Sequence, residues 1–297
     1  MPRADVATGM ELEYDTFGSP TDPALLLVMG FTAQMTSWEE GFCRLLADGG
    51  RFVIRFDNRD CGLSTKLDGV EVDTGAVMTA AMTGGTIPTV PYTLSDMAAD
   101  AIGLLDHLGI DRAHIMGASM GGMIVQTMAI EHPARIISMT SVMSTTGEPS
   151  VGQASHEALS ALLTPPPTER KAYIEAAGTY AVFASKRYYD PEAARKRAAR
   201  DYDRSFSPEG ATRQMAAIYA GRSRAELLPT VKVPTLVIHG RDDTLITPSG
   251  GQRTAELIPA AHLLLVADMG HDMPEPLWPL LTDVVLSHTG GVHHAQS

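Results

Sequence analysis

Ala113-His114-Ile115-Met116-Gly117-Ala118-Ser119-Met120-Gly121-Gly122 is the stretch that decides how this chain folds. A short apolar strand runs into the pattern G-x-S-x-G, and a helical pattern follows as far as His132, where Pro133 ends it. Glycines at 117 and 121 permit a tight strand-to-helix turn around a strained serine. Such a turn lifts the hydroxyl above a sheet, beside the positive end of a helix. The pattern alone is weak, because glycine and serine are common. The strand before it and the helix after it weigh against an ordinary glycine-rich turn.

Outward from this turn, apolar runs alternate with helical patterns. Residues 12–17 read as a strand. Ala24-Leu25-Leu26-Leu27-Val28-Met29 is a continuous apolar run ending at Gly30, as expected of a strand covered on both faces. Residues 51–56 form a third such run, ending in the polar turn Asp57-Asn58-Arg59-Asp60. Between them, residues 38–46 carry helical spacing that stops at Gly49-Gly50. Thr93, with Asp96 three residues on, predicts a capping box for a helix whose apolar face is Met97, Ile102, Leu104, Leu105 and Leu108. Residues 136–143, 235–239 and 262–266 read as strands, and 249–257 and 277–286 as helices. The alternation predicts an α/β fold with a parallel sheet and right-handed crossovers. Residues 67–92, rich in Gly, Thr and Met, are expected to be a long loop, either part of a site or a surface excursion.

From 148 to 224 the strand signal vanishes. Thr168 before Glu169, Asp190 before Pro191 and Ser207 before Pro208 mark three helix starts. This segment is expected to be a helical cap inserted into a core made of residues 1–147 and 225–297. Its aromatic residues, among them Tyr173, Tyr180, Phe183, Tyr202 and Phe206, are mostly accounted for by packing of the cap itself.

The 297 residues carry 44% hydrophobic and 20% charged side chains, enough for a sizeable core. A formal net charge of −12 argues against a nucleic-acid surface, which needs clustered Lys and Arg. The one basic run, Arg195-Lys196-Arg197 to Arg200, reads as the wet face of a helix. Cys43 and Cys61 form no CxxC, so a reduced, cytoplasmic setting is expected. No signal peptide or membrane span is legible. No cofactor or metal is expected; His293 and His294 read as part of a frayed tail rather than as ligands. The sequence does not fix the oligomeric state and leaves a homodimer open.

A serine hydroxyl needs a base. Reactive groups in parallel sheets sit beyond the carboxyl ends of strands. His262 starts its strand, and His288 lies in the last helix. His271 follows the last strand after Gly270 and meets the requirement. His239 precedes the candidate acids and reads as a core or supporting histidine. The acid should leave the preceding strand, as Asp242 and Asp243 do; Glu148, after the strand that follows the nucleophile helix, is a further candidate. Asp243 is favoured, as the better placed to turn back over the sheet and hold the imidazole tautomer. Two backbone donors are expected for a developing oxyanion: the N–H of Met120 and the N–H of Phe31.

Met29-Gly30-Phe31, Asp57 to Ser64, Gly117 to Gly121, Gly240 to Asp243 with Pro248, and Gly270-His271 stand in an order that resembles the α/β-hydrolase superfamily over about residues 10–290. Asp22-Pro23-Ala24 to Gly30 and Leu108-Gly109-Ile110-Asp111-Arg112-Ala113-His114 are most similar to bacterial carboxylesterases of the aclacinomycin methylesterase type. The resemblance implies an α/β-hydrolase fold with a helical cap. It also implies Ser119, Asp243 and His271 as the triad and Phe31 and Met120 as oxyanion donors. Many relatives have His-Gly where this chain has Met29-Gly30, which removes a polar group near the site but leaves the donor. The expected activity is hydrolysis of a largely apolar small-molecule ester through an acyl-enzyme. The same triad serves cofactor-free perhydrolases, carbon–carbon bond hydrolases and acyltransferases, and a non-catalytic binding scaffold is the remaining reading.

Overall fold

A computed structural model of the chain describes residues 2–290, so His293 and His294 lie outside the described residues. Strands β1 (Arg3–Asp5), β2 (Glu11–Phe17) and β3 (Ala24–Val28) lead to helix α1 (Glu40–Asp48) and strand β4 (Phe52–Phe56). Helices α2 (Thr74–Thr83) and α3 (Leu94–His107) follow, then β5 (Ala113–Ala118), α4 (Met120–Glu131) and β6 (Ile136–Val142). Four helices come next: α5 (His156–Leu163), α6 (Arg170–Ala176), α7 (Pro191–Arg204) and α8 (Pro208–Ala220). Strand β7 (Thr235–Gly240), α9 (Ser249–Leu257), β8 (His262–Val266) and α10 (Trp278–Thr289) complete the chain.

The eight strands form one sheet in the order β1-β2-β4-β3-β5-β6-β7-β8, in which β2 runs antiparallel to its neighbours β1 and β4 and the other pairs are parallel. This is the α/β-hydrolase fold, a mostly parallel sheet flanked by helices. Alternation along β3 shows why its apolar run is unbroken. Leu26 and Val28 pack with Leu104, Leu105 and Ile124 on one face, while Leu25 and Leu27 join Phe42, Leu46 and Val285 on the other. The chain leaves β3 toward β4 and leaves β5 toward β6, in opposite directions across the sheet. The carboxyl ends of β3 and β5 therefore flank the crevice where a doubly wound sheet binds its ligand.

The expected loop 67–92 is not structureless: it contains α2. The Asp73 carboxylate accepts the N–H of Ala76 and Gly84 closes the helix at φ +71°, so both ends are capped. Apolar residues surround this helix without a 3.6-residue period, which hides it from pattern reading. It lies against α8, where the Thr74 hydroxyl donates to the Thr212 carbonyl at 3.0 Å. Between β6 and β7 there is no strand among the described residues, as the sequence suggests, but α5 adds a fourth helix, capped by Ser155. α6 begins one residue later than Thr168 suggests, with Glu169 accepting the N–H groups of Lys171 and Ala172. Arg195, Lys196 and Arg197 face water, whereas Arg200 turns in to Glu39 at 3.0 Å.

At the other end of the sheet, His114 Nδ1 lies 2.8 Å from the Ser138 hydroxyl, with both residues buried. Burial, aided by the charges of Arg51 and His288, lowers His114 to about 4. It stays neutral in the folded protein, while the unfolded chain takes up a proton below about 6.5. Its contribution is therefore complete above pH 6.5 and is lost as pH falls toward 4. Urea unfolding is expected to weaken by on the order of 2 kcal/mol across that window, and His114→Asn is expected to flatten this part of the profile.

Candidate active site

Ser119 sits between β5 and α4 with φ +57° and ψ −119°, a conformation that costs a non-glycine residue energy. The surroundings fix it there. Its N–H donates to the Val142 carbonyl at 2.9 Å, and its carbonyl accepts from the Ser144 hydroxyl at 2.8 Å. The flanking glycines are needed for space. A Cβ on Gly117 would come within 2.1 Å of the Gly121 carbonyl oxygen, and one on Gly121 within 2.0 Å of the Val28 carbonyl oxygen.

His271 Nε2 is 2.9 Å from Ser119 Oγ, and its Nδ1 is 2.7 Å from Asp243 Oδ2. Asp243 Oδ1 accepts the N–H groups of Leu245 and Ile246, both at 2.9 Å. Burial alone would raise the Asp243 carboxyl, but electrostatic attraction and hydrogen bonds from the His271 and His239 imidazoles hold it down at about 2. The carboxylate is thus ionised at neutral pH, and Nδ1 of His271 carries the proton it donates. His239 is fully buried, with Nε2 2.7 Å from the Ile246 carbonyl and 3.5 Å from Asp243 Oδ2. Its Nδ1 has no partner and faces Gly251, where a Cβ would approach to 2.4 Å.

The other two candidate acids stand elsewhere. Glu148 pairs with Arg253 at 3.0 Å, which lowers its carboxyl. Asp242 is half-buried, and its N–H donates to the Met269 carbonyl at 3.0 Å.

The residues of the two expected backbone donors adjoin the serine turn: Met120 follows Ser119, and Phe31 follows Gly30, which packs against it. Met120 begins α4, so its N–H has no carbonyl partner within the helix. Phe31 follows Gly30, whose absent side chain lets the turn approach: a Cβ there would lie 3.0 Å from Ser119 Cβ and 3.5 Å from its Oγ. Asn58 donates to the Met29 carbonyl at 2.8 Å and steadies the end of β3.

Sequence reading misses the contacts that the insertion makes with the histidine loop. The backbone N–H of His271 donates to the Phe183 carbonyl at 2.6 Å, and the Phe183 ring meets the imidazole edge-on at 6.1 Å. Asp272 accepts from the N–H groups of Ser185 at 2.9 Å and Gly270 at 3.3 Å. Its carboxyl is raised, since burial outweighs those bonds. No local pattern marks these residues, because their partners lie far away in sequence. Among the described residues no group of three or more His, Cys, Asp or Glu is placed to hold a metal ion, and no helix is long and apolar enough to cross a membrane. A surface hollow of about 410 Å³ beside Asp15, Phe17, Arg44 and Asp48 shares no residue with the Ser119–His271–Asp243 chain.

Residues 23–275 match the family model described as alpha/beta hydrolase fold, and the chain belongs to that family; it is a hydrolase. It is 26% identical to the rhodomycin D methylesterase DnrP of Streptomyces peucetius, over 92% of each chain. It is also 26% identical to 3-oxoadipate enol-lactonase 2 of Acinetobacter baylyi, over 86% of this chain and 88% of that one. Among solved structures, the enol-lactonase from Burkholderia xenovorans LB400 superposes with a TM-score of 0.74 at 24% identity, covering 97% of this chain and 100% of that one.

The packing around the serine turn gives a direct expectation. Gly121→Ala forces a methyl into the Val28 carbonyl, which is backbone and cannot swing aside. It is expected to destabilise the fold by about 1–3 kcal/mol or more, read as a lowered urea midpoint with an unchanged m-value.

Proposed function

We propose that the protein is a carboxylic-ester hydrolase acting on a small-molecule ester through Ser119, His271 and Asp243. The observation that carries the reading is the unbroken chain of hydrogen bonds from Ser119 Oγ through the imidazole to a buried carboxylate. Ser119 Oγ attacks the ester carbonyl while His271 Nε2 takes its proton. The N–H groups of Phe31 and Met120 stabilise the oxyanion. His271 then returns the proton to the departing alcohol, leaving an acyl group on Ser119. In the second half, His271 takes a proton from water, the hydroxide attacks the acyl carbonyl, and the acid leaves as the proton returns to Ser119. Asp243 stays ionised throughout, fixing the tautomer and stabilising the imidazolium.

Residues 148–224 act in this reading as a cap over a core of 1–147 and 225–297, with the substrate between them. Apolar and aromatic residues of the cap favour a largely apolar substrate. Similarity to a named methylesterase over nearly the whole chain supports a methyl ester in particular. A second reading, carbon–carbon bond hydrolysis with the same triad, has one specific support. The chain is 30% identical to a 2-hydroxy-6-oxononadienedioate hydrolase of Pseudomonas over 59% of its length.

A panel of p-nitrophenyl and methyl esters, run beside a dienol diketone of the carbon–carbon type, separates the two. Ester turnover with no diketone cleavage is expected, and the reverse would replace the ester reading. A fluorophosphonate is expected to label the wild type and not Ser119→Ala. Ser119→Ala and His271→Ala are expected to lower kcat by about 10⁶-fold, and Asp243→Asn by about 10⁴-fold, with the fold intact by circular dichroism. Near-wild-type turnover by Ser119→Ala would end the proposal.

A further inference from the structure

Residues Gly30, Phe31, Thr32 and Ala33 form a tight turn, closed by the Ala33 N–H donating to the Gly30 carbonyl at 3.4 Å. Thr32, its third residue, has φ +56°, a value that glycine takes freely and threonine resists. The Thr32 side chain is exposed, so its own packing does not impose that conformation. Both faces of its backbone are gripped instead. The Thr32 carbonyl accepts from Cys61 Sγ at 3.3 Å, and the Thr32 N–H donates to Gln214 Oε1 at 2.8 Å. Gln214 belongs to α8 and is fully buried. Its Nε2 donates to the Arg59 carbonyl at 2.9 Å, which fixes which way the amide points. On its N-terminal side, Arg213 holds Asp60 through two bonds of 2.7 and 2.8 Å, so this turn of α8 is anchored to the loop after β4.

We propose that Gln214 is a positioning residue for the oxyanion turn: by accepting the Thr32 N–H it holds the turn in its strained form and aims the preceding N–H, that of Phe31, at the site beside Ser119. This rests on the reading of Phe31 as an oxyanion donor. The consequence is that the insertion does more than shape a binding space. Docking of α8 completes the electrostatic machinery, and a displaced α8 leaves the nucleophile intact but poorly assisted. Without Gln214, the Thr32 N–H loses its acceptor and the turn relaxes toward the negative φ that threonine prefers, shifting the adjoining Gly30–Phe31 peptide that carries the Phe31 N–H.

The test uses the full chain with Gln214→Met, which keeps volume and removes both polar atoms, and Gln214→Asn, a gentler change whose amide is too short to span Thr32 and Arg59. A p-nitrophenyl ester reports kcat and KM. Phenylboronic acid, whose tetrahedral adduct on serine places an oxygen where the oxyanion forms, reports the turn itself. Both variants are expected to lose about 10- to 100-fold in kcat, with KM within about twofold, and to weaken the boronate Ki by the same factor as kcat. Adding Thr32→Gly to either variant is expected to recover part of both losses, because glycine adopts the positive φ without help. An Asn variant with wild-type kcat and boronate Ki overturns the proposal, as does a loss confined to KM or to thermal stability. Fluorophosphonate labelling of the wild type separates the two possible failures. A labelled wild type with unaffected variants sinks this inference alone, and an unlabelled, inactive wild type overturns the ester-hydrolase reading and this one together.

Discussion

Where the first turn of α4 meets the end of β3, Gly121 lies against the Val28 carbonyl with no room for a methyl group: a Cβ there would stand 2.0 Å from the carbonyl oxygen. The placement of the nucleophile is tied to that contact. It brings α4 down onto the sheet, so the chain must turn sharply at Ser119 and accept a positive φ there. It also brings the end of β3 beside the nucleophile, so Gly30 stands next to the hydroxyl. Strain at one serine persists because the rest over-determines it: strand pairing behind, a helix ahead, and hydrogen bonds to Val142 and Ser144.

A second constraint is electrostatic. The loop after β4 carries Arg59 and Asp60, which point in opposite directions. Arg59 makes a paired contact with Asp100 of α3 at 2.6 and 2.7 Å, and Asp60 makes one with Arg213 of α8 at 2.7 and 2.8 Å. All four residues are buried. Asp60 feels burial most strongly, yet its bonds to Arg213 and Leu67 lower its carboxyl overall. Buried pairs of this kind add little net stability, because desolvation offsets the attraction, but they tolerate almost no misplacement. Their effect is register. The Arg213–Asp60 pair ties α8 to the loop after β4 through two defined bonds.

Local chemistry explains what could be read from sequence and what could not. The strand-turn-helix at Ser119 is legible because its cause lies within ten residues. The apolar runs of β3 and β7 are legible because strands covered on both faces leave little choice. α2 is not, since its apolar residues surround the helix and give no period; α5 escapes for want of a recognised start at Ser155. β1 is three residues long and is defined by pairing with β2, which no local pattern encodes. Strand ends narrow the histidines to His271, but the separation of Asp243 from Asp242 depends on how the backbone leaves β7. The contacts of Phe183, Ser185 and Gln214 with the site have no sequence signal at all, because each joins an inserted helical segment to a core loop.

That division has a chemical meaning. The proposed acid, base and nucleophile all leave strands of one sheet, whose spacing is set by backbone hydrogen bonds and resists variation. The groups that meet the histidine loop and the Thr32 turn come from the insertion, which has no sheet to define it and is held by scattered backbone and side-chain contacts. In the proposed ester-hydrolase reading, changes within that segment act first on substrate space, through rings such as Phe183, Tyr180 and Tyr173. They disturb the chemistry only at the few places where a side chain or carbonyl of the insertion grips core backbone. Where such grips exist, a shift of the inserted segment also shifts core backbone, at the Thr32 turn through Gln214 and at His271 through the Phe183 carbonyl, so that in the proposed reading substrate space and rate are coupled.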